Sequence, residues 1–346
     1  MVIVYAIIGG SVAIVGIAAG IALRYAPYAY GNAKVRAAKS RLITRKEFME
    51  YAKQGYKDIL YQLQRKGFKE LLEHIDSNFA EENIQRTLRR TVVRELDNLR
   101  TYAPRQYKPF FAALQSQHEY DMIKAVIRSK INPHNTQHVV EPFFVQTPLF
   151  SQKDIDSLDE MTLDDFMFKL RGTRYHETVK HFSSQIRQGD LREFEKAFDT
   201  DYYAYLMSNA RGERRLVDFV QLLIDIHNIN MTMTFSDQSL IDGGKVTKDI
   251  YSKLTGAKSV DDVISALSGT RFGEYVRHCE TPRDLFLALE RFKRDYAERL
   301  MHQDPLSINP FLAFLLQRQI ELKNIRLVLK LVHSRFTTQE IQEAII

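Results

Sequence analysis

The chain has 346 residues, enough for two or three domains of ordinary size, and 45% of them are apolar against 27% charged. A single cysteine, Cys279, excludes an internal disulfide and a cysteine-based zinc framework. The net charge of +6 is modest but unevenly placed: Arg24 to Lys66 holds eleven Lys/Arg against Glu47, Glu50 and Asp58, which points to phosphate nearby, in lipid head groups or nucleic acid.

The first element decides between those two. Met1 to Leu23 carries no charged residue. As a helix it would run about 34 Å, enough to cross a hydrocarbon core of about 30 Å. No Lys or Arg precedes it and the apolar run is long, so a retained membrane anchor is expected rather than a cleaved leader. Arg24, Lys34, Arg36, Lys39, Arg41, Arg45 and Lys46 all follow the span, which puts the body on the cytoplasmic side. Tyr25, Tyr28 and Tyr30 sit where interfacial aromatics belong. The basic stretch is then the anchor's flank, facing anionic lipid, and no nucleic acid is expected. Gly16 and Gly20 have the small-xxx-small spacing that allows close helix packing.

Beyond the anchor the chain repeats itself. Asp164–Glu177 aligns without gaps on Asp261–Glu274, with seven of fourteen positions identical and Tyr175 opposite Phe272. A fainter copy starts at Asp58, with Leu63, Phe68 and Glu70 matching Leu170, Tyr175 and Glu177, and Leu267, Phe272 and Glu274. A second marker reads acid-x-x-Asn-Ile-polar: Asp225, Asn228 and Asn230 in one copy, Glu321, Asn324 and Arg326 in another. The first copy has Glu119 and Lys124 with Met122 in the Asn place. The markers stand 61, 60 and 59 residues apart, from Asp58 to Glu119, Asp165 to Asp225 and Asp262 to Glu321. Two unrelated patterns keeping one spacing three times imply a triplicated module.

Each copy carries helix signals. Gly55, Thr162 and Ser259 stand where N-caps belong, and the Asp that follows each favours a helix N-terminus. Gly172 and Gly269 are expected to end those helices in left-handed turns, while Gly67 is displaced by two. Thr44-x-x-Glu47 and Thr337-x-x-Glu340 read as capping boxes. Asn309 is expected to cap a helix that Pro310 opens and that runs to about Ser334. Met122, Ile123, Val126 and Ile127 share one helix face, as do Leu222, Leu223, Ile226 and Ile229. Proline-interrupted residues 131–150 and glycine-containing residues 236–245 read as linkers, and no stretch alternates like a strand.

Candidate chemistry fails on geometry. His176 and His181, five apart, lie about 140° apart around a helix and cannot share a metal as an i, i+4 pair does. His134 and His138 have usable spacing but fall in the linker, and Glu70, Glu73 and His74 lack the second Glu-x-x-His of a carboxylate bundle. Gly243-Gly-Lys-Val-Thr247 ends like a phosphate loop without its upstream glycine or strand. No catalytic residue, cofactor or metal is therefore expected. The marker positions Glu119, Lys124, Asp225, Asn228, Glu321, Asn324 and Arg326 are the candidate sites. They join helices within the modules, or they line a shared surface that receives a partner.

Three stretches resemble a known family: Ala33-Lys-Val-Arg-Ala-Ala-Lys-Ser-Arg-Leu-Ile-Thr44, the Glu-Tyr-Asp-x-Ile-Lys of the first copy, and Asn309-Pro with Glu321-x-x-Asn324-Ile-Arg326. They are similar to the C-type stalk subunit of the archaeal-type (A/V-type) ATP synthase, the counterpart of the d-type subunit of the vacuolar ATPase. The resemblance implies an all-α protein of three pseudo-threefold-related helical-bundle repeats forming a funnel, here preceded by one N-terminal transmembrane helix. On it the chain divides into an anchor (1–24) and repeats 25–131, 151–235 and 245–346. It also implies a non-catalytic linker between the central-stalk subunits and the proteolipid of the membrane rotor ring. The alternative is a membrane-tethered helical scaffold that binds another membrane complex.

Overall fold

A computed structural model describes residues 25–74, 81–132, 141–235 and 240–346. The expected membrane span Met1–Leu23, with Gly16 and Gly20, lies outside the described residues, as do His134 and His138. Among the described residues no helix is long and apolar enough to cross a membrane, and no strand occurs.

The chain is helical over residues 25–39 (α1). There follow α2 (Arg45–Tyr51), α3 (Tyr56–Arg65), a 3-10 turn (Lys69–His74), α4 (Glu81–Tyr102), α5 (Lys108–Gln115) and α6 (Gln117–Ile131). Next come α7 (Gln152–Asp156), α8 (Leu163–Lys169), α9 (His176–His181), α10 (Ser183–Gln188), α11 (Arg192–Ala210) and α12 (Arg214–Phe235). The last part holds α13 (Lys248–Thr255), α14 (Val260–Leu267), α15 (Gly273–Val276), α16 (Pro282–Gln303), α17 (Asn309–His333) and α18 (Thr338–Ala344).

Many of these helices are too short to persist alone, so caps and packing hold them. Reciprocal capping boxes start α2, α7, α8, α14, α16 and α18, pairing Thr44 with Glu47, Ser151 with Asp154, Thr162 with Asp165, Ser259 with Asp262, Thr281 with Asp284 and Thr337 with Glu340. Gly55 caps α3 by backbone alone. Gly67 and Gly172 take the left-handed conformation, at φ 100° and 77°. Gly269 does not, contrary to expectation: α14 leaves through Ser268 in right-handed backbone, and Thr270 turns the chain by bonding the Leu267 carbonyl with both its N–H and its hydroxyl. Asn309 is likewise not a cap; Ile308 holds that place, and Asn309 is already helical, its N–H on the Ser307 hydroxyl.

The buried apolar residues form three clusters. The largest joins the C-terminal ends of α4 and α16, helices α5, α6 and α11, the short helices after Phe150, and the N-terminal half of α17. A second joins α2, α3, Ile84 and Leu88 of α4 with Leu322, Ile325, Val328 and Leu329 of α17 and Ile341 of α18. The third joins the second half of α12, the segment Val246–Cys279 and the first half of α16. Of the long helices that bear a second marker, α6 and α12 therefore pack against the short helices that follow them, and α17 packs against α2 and α3 near the start of the chain. Tyr25 and Tyr30 are exposed, but Tyr28 turns inward and its hydroxyl meets that of Tyr107 at 2.8 Å.

Because α16 begins on a two-way cap with Thr281 exposed to solvent, Thr281→Ala should lower stability by about 1 kcal/mol without altering helix content. Urea unfolding followed by circular dichroism measures it, and an unshifted midpoint would contradict the role given to the cap.

Candidate functional site

The second-marker acids lie on helices whose surroundings exclude water. Asp225 is 0%, Glu321 3% and Glu119 7% exposed. A buried carboxylate must have its oxygens occupied, and in all three the first acceptance is from a backbone N–H. Asp225 takes the N–H of Val246 at 3.0 Å, one residue before the Thr247 cap of α13. Glu321 takes that of Ile43 at 2.7 Å, one residue before the Thr44 cap of α2. Glu119 takes that of Leu149 at 3.0 Å, two before the Ser151 cap of α7. Each acid thus fixes where a set of short helices begins.

The second oxygens, or remaining lone pairs, are met at Glu119 and Asp225 by first-marker groups, with Tyr251 added at Asp225, and at Glu321 by Arg318 of its own helix. The Tyr175 hydroxyl donates to Glu119, and the Arg271 guanidinium and Tyr251 hydroxyl donate to Asp225. Arg318 bonds Glu321, reaches Glu95 at 3.1 Å, and lies 4.9 Å from the Phe68 ring centre. Phe68, Tyr175 and Phe272 are equivalent first-marker aromatics, so the two sequence patterns are the two sides of the same junctions. Burial, and then the Glu119 charge, raises the Tyr175 phenol far above its ordinary value; burial and Asp225 do the same to Tyr251. Burial also raises the Glu321 carboxyl, against the opposing pull of Arg318 and the Ile43 N–H.

The marker asparagines are backbone clamps. Asn228 donates to the Ile241 carbonyl at 2.9 Å and accepts its N–H at 3.0 Å. Asn324 holds Ile346 in the same two-way manner, at 3.2 and 3.1 Å. Met122, in the third such place, is fully buried in the largest apolar cluster. The linker after it is gripped differently, with the Arg89 guanidinium over the Phe143 ring at 3.8 Å. Gly244 has a steric reason to be glycine, since a Cβ there would sit 2.1 Å from an Asp225 oxygen. Lys245, beside it, pairs with Asp218 at 2.5 Å.

The last marker positions diverge. Lys124 pairs with Asp199 at 2.5 Å inside the fold, whereas Arg326 is exposed and shares Glu81 with Lys330, at 2.7 and 2.8 Å. Sequence reading missed Arg318, Glu95, Arg271 and Tyr251; only Arg271 had a signal, as the Arg of the repeated Gly-Thr-Arg. It also missed Glu290, which is 2% exposed and bridged by Lys293 at 2.6 Å and Lys323 at 2.9 Å. Burial works to raise the Glu290 carboxyl, but the two lysines together hold it below its ordinary value.

Two concavities adjoin α17. One, of about 490 Å³ between α16, α17 and α18, is walled by Phe286, Leu327, Leu331 and Phe336 and rimmed by Arg283 and Lys330. The other, of about 360 Å³, meets α4 and α6 and is lined by polar groups including Arg89, His118, Asp121 and Glu290. His176 and His181 occupy the two ends of α9, and no group of three His, Cys, Asp or Glu among the described residues could hold a metal.

What this arrangement defines first is a class: an all-helical protein whose buried acids hold backbone at segment junctions. The chain belongs to the ATP synthase (C/AC39) subunit family, whose model matches residues 31–344. It is similar to the C-type subunit of the A-type ATP synthase of Thermococcus onnurineus, 28% identical over 346 residues, covering 94% of this chain and 92% of that one. The corresponding protein of Pyrococcus horikoshii is 25% identical over 343 residues, covering 93% and 91%. That of Methanosphaera stadtmanae is 22% identical over 374 residues, covering 100% and 94%.

His118 gives a pH signature. Burial first, then Arg89, lowers its pKa from 6.5 to about 4, against the pull of Asp121. A depressed histidine adds stability that is complete above its unfolded pKa and is lost as pH falls toward the folded value. Acidification from pH 6.5 to about 4 should therefore destabilise the fold, with His118 contributing on the order of 3 kcal/mol. Burial shifts His227 the same way. His118→Gln should flatten most of that slope in urea titrations and leave the His227 share; an unchanged slope would contradict it.

Proposed function

We propose that this chain is the non-catalytic linker subunit of an A-type ATP synthase, joining the central stalk to the proteolipid rotor ring. The observation that carries the reading is the use of the acids Glu119, Asp225 and Glu321: each is buried and bonded to the backbone that opens another segment. Acids so engaged make a stiff array suited to passing on torque, and they leave no oxygen free for proton transfer to a substrate. Membership of the C/AC39 family and the names of the archaeal relatives support the same reading.

In this reading residues 25–131, 151–235 and 245–346 are three copies of one module, arranged as a funnel about a pseudo-threefold axis. The recurrence of the acid-to-backbone bond at three junctions supports it. The apolar groove with its cationic rim beside α17 is a surface fit for a partner in the complex. Met1–Leu23 would be a membrane helix with the body cytoplasmic. A rotor linker turns with its ring, so that helix would lie in the ring's lumen, where a span rich in Gly, Ala, Val and Ile meets only apolar walls or lipid. The exposed Lys34, Arg36 and Arg41 would then face lipid head groups or the ring mouth.

Affinity purification of the full chain from detergent-solubilised membranes should bring down a small proteolipid and stalk subunits. Cysteines at Val12 and Ala19 should cross-link to ring subunits and not to stator subunits. Purification without either class of partner would overturn the assignment to the synthase, and capture of the stator would overturn the lumen placement alone.

A further inference from the structure

The three junctions are clasped alike but are not tethered alike. Glu119 and the Leu149 that it holds are 30 residues apart, and Asp225 and Val246 are 21 apart, so short covalent linkers keep those partners close. Ile43 and Glu321 are 278 residues apart. At this junction the end of the chain closes onto its beginning by non-covalent contacts alone.

Those contacts are of two kinds. The apolar part is the second cluster, where Leu322, Ile325, Val328 and Leu329 of α17 meet Ile59, Leu60 and Leu63 of α3. The polar part is the Glu321–Ile43 bond, with Arg318 beside Glu321 and over the Phe68 ring, and a bond from the Gln342 amide to the Met49 carbonyl at 3.1 Å. Glu81 of α4, which lies on neither side of the junction, pairs with Arg326 and Lys330. The last two cations are about half exposed, and such pairs contribute little. Glu321, 3% exposed, is the polar contact that excludes water.

Neighbouring elements are tied elsewhere. The N-terminal half of α17 is buried in the largest cluster through Phe311, Leu312 and Phe314. α1 belongs there too, through Val35, with the Asn32 amide on the Pro305 carbonyl. Separation of the second cluster would therefore leave the other two packed, and sub-global openings follow such units.

We propose that this junction is a seam: residues 43–71 and residues 322–345 part from each other as a unit while the rest of the fold stays closed, and Glu321 is the latch that holds them together. The proposal rests on these contacts and not on the complex the chain joins. A partner bound across both sides of the seam would hold it shut, by selecting the closed population.

The test is a distance distribution between spin labels at Tyr61→Cys and Phe336→Cys in the full chain with Cys279→Ala. Both label positions are exposed, at 53% and 48%, and lie on opposite sides of the seam. Glu321→Ala strands the Ile43 N–H and Arg318, and should raise the ratio of long to short distances about tenfold. Asp225→Ala, whose clasp is backed by a short linker, should leave that distribution unchanged. A control pair at Phe168→Cys and Phe286→Cys should be unaffected by Glu321→Ala. Should the alanine variant fail to fold, Glu321→Gln keeps an acceptor for Ile43 but loses the charge facing Arg318, and should give a smaller increase of the same sign. An unchanged seam distribution in a folded Glu321 variant, or equal broadening of the control pair, would overturn the proposal.

Discussion

A carboxylate buried away from water must have its oxygens filled, and this fold turns that requirement into a positioning device. Glu119, Asp225 and Glu321 each project from a long helix and accept a backbone N–H one or two residues ahead of a helix cap. The cap's own hydroxyl–carboxylate exchange then sets the first turn, as at Thr44 and Ser151. The start of each set of short helices is thereby referred to one point on a long helix. Slipping by a residue would strand both the acid and an N–H, at the cost of a lost buried partner.

The arrangement explains how so many short helices persist. α7 has five residues and α15 four, well below the length at which helices hold in water. They are held by caps and by aromatic packing, such as Tyr120 against Tyr175 and Phe198 at ring-centre distances of 4.8 and 4.6 Å. The long helices do the spanning. α17, at about 37 Å for 25 residues, begins in the largest cluster and ends in the second. A displacement at one end is thus carried to the other through continuous helix and close-packed contacts.

Much of this was legible in the sequence, because the features involved are periodic or local. Both markers lie at junctions: Tyr175 and Arg271 of the first marker meet Glu119 and Asp225 of the second, each acid reaching the first marker that follows it in the chain. The cap signals at Thr44, Thr162, Ser259 and Thr337 correspond to boxes in the structure. What was hidden was which segment each helix packs on. Spacing counts residues along the chain, and it cannot tell that α17 completes a cluster begun at Ile43. The partners of the acids were hidden for another reason: Tyr175, Arg271 and Arg318 do the same work with different residue types from different positions. Gly269 was misread: the chain leaves α14 through Ser268 in right-handed backbone, although Thr270 bonds the Leu267 carbonyl just as Thr173 bonds that of Leu170 beside the left-handed Gly172. At Met122 the change of residue type reports a real difference, since apolar packing replaces the amide clamp there.

The central claim is that the three acids hold the backbone at Leu149, Val246 and Ile43 by one shared interaction. Residue-level amide hydrogen exchange of the native full chain tests it most directly, because each of these N–H groups sits in irregular backbone next to a cap. The account predicts that all three exchange slowly, well below the amides of linker residues whose N–H groups have no such acceptor, such as Gly244 and the exposed Gln146. Exchange of any of the three at the rate of its linker neighbours would contradict it.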